Sequence, residues 1–205
     1  MSYQKLYITT SFFIKFNFIV TAIISAITEN WIMCFFSLLA LILSFLPILI
    51  EKRFDIDIPI ELELIILIFI YASIFLGEAH NYYYKYHWWD LMLHTLSAIV
   101  LGLLGFIFVY ALNKDMNVSL KLNPFFISLF SFSFALSVGT LWEIFEFFMD
   151  YFLGFNMQKS GLVDTMTDLM VDAIGALVIS FLGYYYSKKI DKSILKKLYQ
   201  KFKKE

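Results

Sequence analysis

Hydrophobic residues along this chain fall into six long runs, each bounded by a short polar or charged stretch. The plainest run is Trp31 to Ile50, which carries no charge and has the length of a helix that crosses a bilayer. Before it, Ser11 to Thr28 is apolar apart from Lys15, Asn17 and small hydroxyl residues. Lys15 interrupts the run and a small-residue cleavage pattern is poor, so a retained first span is expected rather than a secretory signal. Pro59 to Gly77 is the third run; Asp57 ahead of the proline, with Glu61 and Glu63 in the first turn, marks a helix start. The predicted spans are about 11–28, 31–50, 59–77, 90–112, 124–149 and 162–187. They define an all-α fold, a polytopic integral membrane helix bundle of six transmembrane helices, as one membrane domain over residues 1–187 with residues 1–10 as a short polar lead. Residues 188–205 carry eight lysines, and Ile190, Ile194, Leu195, Leu198, Tyr199 and Phe202 fall roughly on one helical face. That pattern predicts either a basic amphipathic cytoplasmic tail on an anionic membrane surface or a merely solvated one.

Composition agrees with a membrane solvent. Of the 205 residues, 60% are hydrophobic and 16% charged, against about half and about a quarter in soluble domains. Membrane lipids are therefore the expected surroundings. No basic reading motif points to nucleic acid. The single cysteine, Cys34, excludes a disulfide framework and a cysteine-type zinc site. The segment Glu78 to Trp89, dense in Tyr and Trp, reads as an interfacial belt, and His87 as part of it. Six spans place Lys5, Lys52, Arg53, Lys114, Lys121 and the tail lysines on one side, and only Lys85 and Lys159 on the other. Positive residues stay inside, so both the N and C termini are expected to be cytoplasmic.

The acidic residues then change the picture. Glu143, Glu146 and Asp150 are spaced by three and four, and Asp164, Asp168 and Asp172 by four and four. Residues three and four apart share a helix face, so each of the last two spans carries one acidic stripe. With the spans oriented as above, these six share the outer side of the membrane with Glu78, His80, Asp90 and His94. Counting 19 residues from Pro124 to Glu143 at the helical rise gives about 28 Å, just inside the outer boundary of a core about 30 Å thick. Charges at that depth are expensive and normally face a bundle interior or water.

The expected site is thus an outer-leaflet pocket. Glu143, Glu146, Asp168, Asp172, Asp90 and His94 are the metal- or proton-binding candidates, and Glu78, His80, Asp150, Asp164 and Gln158 stand at the pocket mouth. Carboxylates with a histidine suit a divalent ion such as Mg, Mn or Zn. Such an ion facing the headgroup layer would support metal-dependent hydrolysis or transfer on a lipid-linked or envelope substrate. The alternative is a cation or proton-coupled transporter, since acid and histidine chains also line ion paths. The bland reading is that Asp150 and Asp164 cap helix ends and that His94 with Asp90 is a simple buried pair.

The motifs Gly77-Glu-Ala-His80, Asp90-Leu-Met-Leu-His94, Trp142-Glu-Ile-Phe-Glu146, Gln158, Asp164-Thr-Met-Thr-Asp168 and Gly175-Ala176 occur in this order. Together they resemble the YjdF-like inner-membrane proteins, over roughly residues 60 to 185. The family pattern places an arginine after the aspartate of the fourth span; here Leu91 stands there, which removes one counter-ion. The resemblance implies a small multi-pass protein of a prokaryotic inner membrane and brings no activity to carry over.

Overall fold

The computed structural model describes residues 3–54, 58–114 and 122–189. Among these residues every regular element is helical. Six stretches are long and apolar enough to cross a membrane: Gln4–Ile27, Trp31–Arg53, Ile60–Ala79, Trp89–Val109, Pro124–Leu153 and Leu162–Lys188. The protein is therefore an all-helical, multi-pass membrane protein. The expected amphipathic tail falls almost wholly outside the described residues. The chain divides into two compact units, with the boundary between Trp89 and Asp90.

In the first unit, α1 (Tyr3–Ile27) starts well before Ser11, so the expected polar lead is helical. Tyr7 and Ser11 lie on the face of α1 that meets Glu63, which gives the early turns a buried side to pack. The second span is two helices, α2 (Trp31–Leu43) and α3 (Leu46–Phe54). Asn30 caps α2 by accepting from the Met33 amide at 3.2 Å. The break has a simple cause: Pro47 has no N–H for the carbonyl one turn back. The chain tightens there, with the Phe45 amide on the Ile42 carbonyl at 3.1 Å and Ser44 Oγ donating to Leu41 O at 2.6 Å.

The third span begins as α4 (Ile60–Ile70) and widens into a π-helical segment, Tyr71–Ala79. It runs past Gly77 and takes in Glu78. The widened turns end where the His80 amide reaches the Phe75 carbonyl, five residues back, at 3.1 Å. A short helix, α5 (Tyr82–Lys85), follows. The Tyr83 ring lies in the space that a Cβ at Gly77 would fill. The core of this unit is Ile14, Phe18, Ala40, Leu67, Ile70 and Phe75.

The second unit holds α6 (Trp89–Lys114, of which Trp89 belongs to the first unit), α7 (Pro124–Leu153) and α8 (Leu162–Lys189). Asn123 accepts from the Phe126 amide at 2.8 Å and Pro124 opens α7, a pre-organised helix start. Gly154, at φ +69°, ends α7 with its amide on the Asp150 carbonyl at 3.1 Å. The helix therefore continues beyond residue 149, and Asp150 lies in its last turn. Small residues let the three helices close up, as in other membrane bundles. A Cβ on Gly175 of α8 would come within 2.7 Å of the Thr95 carbonyl of α6. The Gly102 carbonyl of α6 accepts from Ser131 Oγ of α7 at 2.6 Å. Phe147, Phe148, Phe152 and Phe181 are half or more exposed, as side chains facing lipid should be.

Candidate metal centre

The helix periods that the lipid solvent demands also set the site. Asp90 and His94 are one turn apart on α6, Gly139, Glu143 and Glu146 share a face of α7, and Asp164, Asp168, Asp172 and Gly175 share a face of α8. The three faces converge on the His94 imidazole. Its Nε2 lies 3.7 Å from Glu143 Oε1 and 3.9 Å from Asp90 Oδ1, and its Nδ1 lies 3.4 Å from Asp172 Oδ2. His94, Glu143, Glu146, Asp168 and Asp172 are each 8% exposed or less.

Among the described residues two groups of ligand atoms emerge, each with all atoms within 4.8 Å of one another: His94 with Glu143 and Asp168, and Asp90 with Asp164 and Asp168. Both oxygens of Glu143 are buried, with the Thr165 hydroxyl beside them, and Asp172 Oδ1 and Asp164 Oδ2 are buried without a hydrogen-bond partner. Buried carboxylate oxygens left in that state are costly, so the arrangement asks for a cation or for protons.

Glu146 and Asp172 fall in neither group. Glu146 accepts from the Trp142 indole at 2.9 Å. Asp172 sits behind His94, and a Cβ on Gly139 would strike its carboxylate, so the glycine makes its room. Asp150 uses both oxygens on the loop that follows, accepting from the Met157 amide at 2.7 Å and the Gln158 amide at 2.8 Å. The Gln158 side chain donates to Thr165 Oγ1 at 2.6 Å. Glu78 and His80 lie in the first unit, where His80 Nδ1 donates to the Phe75 carbonyl at 2.9 Å.

Sequence reasoning missed Lys159. Its ammonium bonds Asp90 Oδ2 at 2.5 Å. The signal available was a lone cation in a short loop joining two acidic helices. Gly139 is a second such residue, and its place one turn before Glu143 was the clue to its partner.

Comparison with known proteins agrees with the architecture. Residues 8–189 match the family described as predicted membrane protein, DUF2238. An uncharacterised protein of Thermotoga maritima is 32% identical over 146 residues, which covers 68% of this chain and 70% of that protein. No solved structure matches significantly. The YjdF-like resemblance is consistent with these findings.

Proposed function

The chain belongs to the DUF2238 family of predicted membrane proteins, and from that premise we propose that it holds a divalent cation at His94, Glu143 and Asp168. The observation that carries this reading is Glu143: it is 3% exposed, both of its oxygens are buried with only the Thr165 hydroxyl beside them as a donor, and it faces His94 Nε2. One imidazole nitrogen with two carboxylates suits Mn or Zn better than Mg. Asp172 supports the set from behind. With Nδ1–H donated to the Asp172 carboxylate, a neutral imidazole would present its Nε2 lone pair on the side of Glu143, to an ion held there.

In this reading the protein lies in a prokaryotic inner membrane with cytoplasmic termini, and the centre opens to the outer leaflet. A bound ion there would supply Lewis acidity and an activated water for hydrolysis or transfer on a lipid-linked or envelope substrate. Access from one side is enough for such chemistry. Deeper along the same helices, Ala98, Ala135 and Ala176 are each 1% exposed or less. Beyond them Ser131 donates to Gly102 O, and Ser180 Oγ donates to Ser131 Oγ at 3.4 Å. An alanine layer followed by hydroxyls already engaged with neighbours favours the one-sided centre over a transport route.

Elemental analysis of the purified protein tests the proposal. Wild type should retain about one tightly held divalent ion per chain, and Glu143→Gln should lose it. Equal metal content in both proteins, or none in wild type after exposure to Mn, Zn or Mg, would overturn the reading.

A further inference from the structure

Asp168 belongs to both groups of ligand atoms. It is 2% exposed, and the charged residues around it are His94 and Glu143 from one group and Asp90 and Asp164 from the other. A carboxylate has two oxygens and about four lone-pair sites, so one aspartate has the capacity for two ions. On the second group, Asp164 Oδ2 is buried without a hydrogen-bond partner. Asp90 Oδ2, by contrast, already holds a cation, the Lys159 ammonium.

We propose that Asp90, Asp164 and Asp168 form a second divalent-cation subsite, joined to the first through Asp168, and that the Lys159 ammonium stands in for the second ion until one arrives. The inference rests on the first site at His94, Glu143 and Asp168. Its donors are all oxygens, so it takes a hard cation, Mg or Mn, whereas the imidazole biases its neighbour toward Mn or Zn. Paired ions with a lysine beside them are suited to phosphate esters, where the two ions clamp the attacking and leaving oxygens. The substrate class is then a phosphorylated lipid or envelope precursor rather than a neutral one.

Electron paramagnetic resonance during Mn titration of the full chain in detergent tests the pair. Wild type should first show an uncoupled six-line signal, then an exchange-coupled signal as the second ion enters. Asp164→Asn should stop at one uncoupled ion. Lys159→Met should reach the coupled signal at about fivefold less Mn, the effect expected of removing a partly exposed ion pair. Saturation at one uncoupled Mn per chain in both wild type and Lys159→Met would overturn the second subsite and leave the first standing. No bound Mn in any of these proteins would overturn both.

Discussion

Both units bury acid in a membrane, but they balance it differently. In the first unit Glu63, 8% exposed, is faced by the Tyr7 hydroxyl and by Lys15. Lys15 also lies over the Phe45 ring, 4.3 Å from its centroid. Nearby, Glu51 accepts from the Ile58 amide at 2.8 Å. Each of these two acids has a donor or a cation in hand. In the second unit Asp90, Glu143, Glu146, Asp164, Asp168 and Asp172 gather around one imidazole and one lysine. An acid that is matched on the spot needs nothing further, and its retention reads as architecture. An excess of buried carboxylate that the chain does not match is what the proposed cation would balance.

The comparison breaks most visibly if the unmatched acids are not waiting for a cation. Asp168→Asn should abolish ion-dependent stabilisation of the protein, a loss of about 2.7 kcal/mol at a free ion concentration of 100 times Kd, read as the missing rise in melting temperature. Gly139→Ala comes next. Its methyl displaces the Asp172 carboxylate that orients His94, so calorimetric titration should show ion affinity about 10–100-fold weaker. Unchanged affinity would mean that Asp172 does not orient the imidazole.

In the first unit the effects should be smaller and unrelated to metal. Lys15→Met leaves Glu63 without its positive neighbour and should cost about 1 kcal/mol. Adding Glu63→Gln should recover part of that, and ion titration should match wild type in both. Ser131→Ala removes one interhelical hydrogen bond and should cost about 0.6 kcal/mol, again with ion binding intact. A large fall in ion affinity in this last variant would place polar communication below the alanine layer and revive the transport reading.

Much of this division is legible along the chain. Span number follows from run length, because backbone polar groups in lipid must be satisfied within a helix. One acidic stripe per helix is also foreshadowed by the spacings of three and four, but that the stripes face one another is not, because spacing within a helix does not say which neighbour its face meets. Other features depend on where the chain goes in space. Hydropathy is blind to the π-helical turns Tyr71–Ala79, because it reads apolarity and not the register of backbone hydrogen bonds. Which of Asp168 and Asp172 meets Glu143, and which stands behind His94, turns on one helical turn and on the room Gly139 leaves. Lys159 reaches Asp90 from a loop that Asp150 braces, a path no spacing in the sequence encodes. Glu78 and His80 share the expected membrane side with the acids, yet they belong to the first unit, where His80 is held against Phe75 with ring centroids 4.5 Å apart.

The most direct measurement is thermal melting of wild type and Glu143→Gln, each in chelator and in excess Mn. If the buried carboxylates await a cation, the order inverts. In chelator Glu143→Gln melts higher, because one uncompensated buried charge is gone; in Mn wild type melts higher, because only it gains the ion. Curves that keep the same order in both conditions would contradict a metal centre at His94, Glu143 and Asp168.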